Sequence, residues 1–139
     1  MSEIQPSIKL VALAEKFSVC KVIDYSQIDI ERPFVFTGAT DAEKSLVCPT
    51  RFVPANAVER NDGWRAFRIE GTLDFSLVGI LSRISKCLAD NNIGIFAIST
   101  YNTDYIFTRS ADFEHALMVL KTAEYEIQTL VSPNGTSRG

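Results

Sequence analysis

Residues 93–108 read IGIFAISTYNTDYIFT, two apolar runs flanking a polar join. Aliphatic and aromatic residues on either side predict two strands, GIFAIST and DYIFT, folded back on each other as a hairpin. The join, STYNT, carries five hydroxyl- or amide-bearing side chains, followed by the carboxylate of Asp104, with no glycine or proline. A simple turn does not need so many hydrogen-bonding groups, so the join is also a candidate binding surface.

Working outward, residues 76–91 place Leu77, Ile80, Leu81, Ile84 and Leu88 on one helical face at i, i+3, i+4, i+7, i+11. Asp74 or Ser76 is the expected N-cap, and Asn91-Asn92 with Gly94 the expected end. Before that helix comes a strand, WRAFRIEG, preceded by the turn cluster Asn61-Asp62-Gly63. After the hairpin, Ser110 is the expected cap of a second helix with Phe113, Ala116, Leu117 and Leu120 on one face. YEIQTLV is then a last strand. From residue 63 the order is β-α-β-β-α-β, which is a ferredoxin-like plait: an antiparallel sheet with both helices on one face.

The first half echoes this order less regularly. SIKLVAL, FSVCKV, PFVFT and SLVC read as strands, with Tyr25 to Ile30 as a short helical turn. GATDAEK joins the last two strands as STYNT joins the later pair, and TRFVPANAV has room for a short helix limited by Pro54. The expected fold is α+β with two ferredoxin-like units. Residues 1–62 form a smaller, helix-poor N-terminal half, residues 63–131 a full β-α-β-β-α-β unit, and residues 132–139 a disordered tail.

Composition narrows the function classes. The 139 residues are 46% hydrophobic and 22% charged, with net charge −3, which suits an ordinary soluble domain and gives nucleic acid no general electrostatic hold. No run reaches the roughly 20 apolar residues of a membrane span, and no signal peptide is evident, so a cytoplasmic address is expected. Cys20, Cys48 and Cys87 are widely spaced beside a single histidine, His115, which offers no metal-ligand pattern. No metal or cofactor is expected. Nor does any motif pair a nucleophile with a base, so the chain reads as non-catalytic.

Two segments could bind a ligand. In GTLDFSLVG, residues 71–79, the helix start presents free N–H groups at Leu77, Val78 and Gly79 that suit a carboxylate, although capping by Ser76 or Asp74 explains the same residues. In the hairpin, Asp104 can hold a cation, with Thr100, Asn102 and Thr103 fixing orientation, although a turn carboxylate satisfied by nearby backbone would look the same. An anion-favouring helix start and a cation-favouring Asp104 together complement a zwitterion, a free amino acid.

The segments GWRAFRIEGTLDFSLVGIL and IFAISTYNTDYIF resemble the ACT domain, a small β-α-β-β-α-β module that senses amino acids. More closely, the chain resembles short bacterial tandem ACT-like proteins and, distantly, the cytosolic arginine sensors of the mTOR pathway. That resemblance implies ligand binding by Asp74, Ser76, Leu77, Val78 and Gly79 in the loop and by Thr100, Asn102, Thr103 and Asp104 in the hairpin. It also implies a regulatory output through a homodimer or a separate protein partner. The alternative is a ligand-free interaction module that pairs through its sheet edges. An amino-acid-processing enzyme would have to draw its acid and base from Tyr101, Tyr105 and Glu70.

Overall fold

Eight strands and two α-helices follow one another in a computed structural model that describes residues 8–70 and 79–129. The strands are β1 (Lys9–Ala12), β2 (Phe17–Val22), β3 (Phe36–Ala39), β4 (Lys44–Pro49), β5 (Ala57–Ile69), β6 (Ile95–Ser99), β7 (Asp104–Arg109) and β8 (Glu126–Thr129). Helix α1 (Ile80–Ala89) follows β5, and α2 (Ser110–Thr122) follows β7. The fold is mixed α+β and ferredoxin-like. Two compact units divide it: a smaller one of residues 15–64, and a larger one whose described residues are 8–14, 65–70 and 79–129. Strand β5 crosses the division, its residues up to Trp64 in the smaller unit and those from Arg65 in the larger.

In the larger unit the strands lie in the order β8-β1-β5-β7-β6. Sequence reading puts SIKLVAL in an N-terminal half ending at residue 62. Its pairing instead builds β1 into the larger unit's sheet, antiparallel to β5 (Leu10↔Ile69) and parallel to β8 (Leu10↔Ile127). The physical reason is burial on both faces: Leu10, Val11 and Ala12 are all buried, and such a run needs a central position. Ile80, Ile84 and Leu88 of α1 recur at i, i+4, i+8 and pack with Phe113, Ala116 and Leu120 of α2 onto Leu10, Phe67, Ile69 and Ile106.

Both helices of this unit end alike. Ile93 N–H donates to Leu88 O and Asn92 N–H to Ala89 O, while Tyr125 and Glu124 make the same pair of bonds to Leu120 and Lys121. Asn92 and Glu124 take positive φ, so each is a Schellman turn with an apolar residue following it. The expected caps at the other ends differ. Arg109, not Ser110, is the N-cap of α2 and makes no side-chain cap bond. Gly79, at φ +86, is the N-cap of α1, and the alternatives Asp74 and Ser76 lie outside the described residues. The expected tail, residues 132–139, lies outside them too.

The smaller unit has an all-antiparallel order, β3-β4-β2-β5. With β2 matched to β5, β3 to β6, β4 to β7 and β5 to β8, this is the larger unit's order without β1. Its own residues, 15–64, are all described and form no α-helix. Tyr25, Ile28 and Val35 from the long β2–β3 connection, with Phe52 and Val53 from around a 3-10 turn (Thr50–Phe52), pack instead on Cys20, Val22, Leu46 and Cys48. Arg32 and Arg51 both stack on the Phe52 ring, at 4.0 and 4.3 Å, and Arg51 pairs with the nearly buried Glu15 at 2.6 Å.

Three local expectations change here. Asn61-Asp62-Gly63 is not a turn before the strand but part of β5, where a register shift against Phe17–Val19 absorbs an extra residue as a bulge. Gly63, at φ +92, supplies the backbone that the bulge needs. Residues 25–30 form turns rather than a helical turn, nucleated by Asp24 accepting from the Ser26 N–H and hydroxyl. Finally, PFVFT enters its strand only at Phe36, after Phe34 adopts φ 68.

Candidate functional site

The β6–β7 hairpin closes on four residues, 100–103. Thr100 N–H donates to Thr103 O at 2.8 Å, the Thr100 hydroxyl donates to the same oxygen at 3.0 Å, and Thr103 N–H donates back to that hydroxyl at 3.3 Å. Thr100 is thus largely occupied in making the turn. The Thr103 side chain is buried and donates to Ile69 O at 2.7 Å, fastening the hairpin tip to the last residue of β5. The tip therefore sits where the segment leading to α1 begins.

Beside this fastening lies a depression of about 290 Å³ lined by Arg68, Ile69, Glu70, Thr100, Asn102, Thr103 and Tyr105. Arg68 and Glu70 approach to 3.8 Å. The structure thus brings together three of the expected ligand residues, Thr100, Asn102 and Thr103. Asp104 is not on this lining. It faces Ser99 across the hairpin, accepts that hydroxyl at 2.5 Å and is half-buried. Strand alternation puts it on the same face as Ile106, the helix-covered side of the sheet, whereas Tyr105 takes the other face. Of the loop residues, Gly79 opens α1, and Asp74, Ser76, Leu77 and Val78 lie outside the described residues.

Arg68 was missed by sequence reading as a site residue. Its signal is the alternation Phe67-Arg68-Ile69-Glu70, which puts two opposite charges on one strand face at the hairpin end. His115 is exposed, and among the described residues no cluster of three or more potential metal ligands forms. The cysteines behave as core: burial pushes the Cys48 thiol up to about 12 and also raises that of Cys20. Asp62 is held below the usual carboxylate range, first by the hydroxyl of Ser18, which donates at 2.5 Å, and then by Arg60.

A comparison with known families bears on the segment that carries the β6–β7 hairpin. Residues 59–122 match the ACT domain. The ACT match starts within β5 and ends with α2, so it takes in the hairpin and the depression. A solved structure of a protein from Agobacterium tumefaciens is 28% identical, with a TM-score of 0.80, covering 92% of this chain and 97% of that one. A Vibrio cholerae protein described as a possible transport protein is 18% identical (TM-score 0.66, 84% and 89% covered). The ligand-free regulatory subunit of aspartate kinase from Thermus thermophilus is 10% identical (TM-score 0.56, 82% and 95% covered). A search of curated proteins gave no match. The fold is ACT-type. Among the described residues no helix is long and apolar enough to cross a membrane.

Proposed function

We propose that this chain is a non-catalytic, cytoplasmic regulatory module of two tandem ACT-like units that binds a free amino acid and reports it to a protein partner. The observation that carries the reading is the Thr103–Ile69 bond within the ACT match, because it holds the hairpin against the start of the first strand-to-helix loop. In this reading Asp104, poised by Ser99 on the helix side of the sheet, takes the ammonium group. The amides of Leu77, Val78 and Gly79 take the carboxylate, and of these Gly79 is described, as the N-cap of α1. Asn102, exposed at the hairpin tip, adds a hydrogen bond at the rim, and Thr103 holds that tip to β5. Reporting would follow where the bound ligand changes the surface offered to a second copy or another protein. A distant kinship with the cytosolic arginine sensors belongs to the same reading.

A thermal-shift screen of the twenty amino acids on wild type and Asp104→Asn tests it. At least one amino acid should stabilise the wild type, by about 2.7 kcal/mol at 100-fold over Kd, and the variant should lose most of that gain. No stabilisation by any amino acid at millimolar concentration would count against it.

A further inference from the structure

The smaller unit carries a cleft that the reading above leaves unused. It measures about 360 Å³ and is formed by the end of β2, the tip of the β3–β4 hairpin and residues 58–59 of β5. Under the strand matching already described, it corresponds to the 290 Å³ depression of the larger unit, which lies between the end of β5 and the tip of the β6–β7 hairpin. The two hairpin closures also correspond. Thr40 N–H donates to Glu43 O at 2.8 Å, and the Thr40 hydroxyl accepts from Ala42 and Glu43 N–H at 3.1 Å.

Two features separate this cleft from an ordinary hairpin surface. The β2–β5 register passes from Lys21↔Glu59 to Val22↔Ala57, so Val58 is the extra residue of a bulge. Such a bulge re-aims its side chain, and Val58 is left 56% exposed beside Ile23, which is 64% exposed. Large apolar groups left in water at a concave place are a mark of a binding surface. Around them stand Lys21 and Lys44, and against these Asp41, Glu43 and Glu59. Among the described residues none of these five charged groups is held in an ion pair.

We propose that this cleft is a second ligand site, taking a small zwitterion with a branched aliphatic side chain. Lys21 and Lys44 face its carboxylate, Asp41 and Glu59 its ammonium, and Ile23 and Val58 its apolar part. The hairpin position held by Asp104 in the larger unit is held by Lys44 here (Ala39↔Lys44 against Ser99↔Asp104), so the two sites present opposite charges at one backbone position. The proposal does not rest on the reading of the Asp104 hairpin.

Titration of the 15N-labelled full chain with L-leucine, followed by amide chemical shifts, tests it. Saturable shifts are expected at residues 21–23, 40–44 and 57–59. 4-Methylpentanoate, which lacks the ammonium, and isoamylamine, which lacks the carboxylate, should each bind at least about tenfold more weakly. Lys44→Glu and Val58→Asp, both surface changes, should each abolish the shifts, and Asp104→Asn should leave them unaltered. No saturable shift in these segments up to about 20 mM, or equal binding of the singly charged analogues, overturns the site. Shifts confined to residues 99–105 and lost in Asp104→Asn overturn it while leaving the proposed function standing. Shifts at 21–23 and 40–44 without any at 99–105 support it even where that function has failed.

Discussion

The hairpins at residues 39–44 and 99–104 share one closure and differ in everything attached to it. In each, a threonine begins a four-residue link and accepts the link's last N–H on its own hydroxyl. Beyond that, Thr103 is buried and bound to β5, whereas Glu43 stands exposed in the same place. The next position carries Asp104 in one and Lys44 in the other. Part of the polarity of STYNTDYIFT is therefore structural, shared by a hairpin with different chemistry. What the shared closure does not explain is the Ser99–Asp104 pair and the exposed Tyr101 and Asn102, and there the proposed ligand role is concentrated.

The units around these hairpins differ in how their sheets are covered, and the largest expected effects follow from that. Phe113→Ala removes a buried ring from under α2, together with its stacking with the Arg65 guanidinium at 4.3 Å, and should cost about 3–5 kcal/mol in urea unfolding. Phe52→Ala, in the helix-poor cover, removes a half-buried ring and two cation stackings and should cost about 2 kcal/mol. Equal costs would break the distinction between a helix-packed and a loop-packed sheet.

The hairpins themselves come next. Thr103→Val strands the Ile69 carbonyl and should cost about 1–3 kcal/mol, whereas the matching Thr40→Val, at an exposed link, should stay within about 1 kcal/mol. A weaker contrast is in acid. Because the Asp62 carboxyl is depressed in the folded chain, its contribution is complete above the unfolded value and is lost as pH falls through the folded one. Stability should therefore decline below about pH 4, and Asp62→Asn should flatten that decline. Smallest is a reactivity difference with no stability change: at pH 8, Cys87 on α1, half-buried, should alkylate before Cys48, whose thiol titrates at about 12.

Much of the larger unit was legible in the sequence because its signals are local. The Ile80-Ile84-Leu88 stripe, the Asn92 stop and the paired strands of 95–109 each depend on a few neighbouring residues. The position of β1 was not legible, since Leu10-Val11-Ala12 announces burial without saying between which strands. Asn61-Asp62-Gly63 misled for a related reason, as a bulge and a turn use the same residues and only the partner strand decides between them. At the site, the expected grouping of Thr100, Asn102 and Thr103 could be read from their adjacency. The tie from Thr103 to β5 is a long-range fact that spacing alone does not carry, and so is which face of the hairpin the helices cover, which decides the side Asp104 takes.

The central claim is that Asp104 holds the ammonium of a bound amino acid. Isothermal titration of wild type, Asp104→Asn and Ser99→Ala with the amino acid that most stabilises the chain measures it directly. Asp104→Asn should weaken binding at least tenfold, about 1.4 kcal/mol, and Ser99→Ala by less. Unchanged affinity in Asp104→Asn would contradict the account.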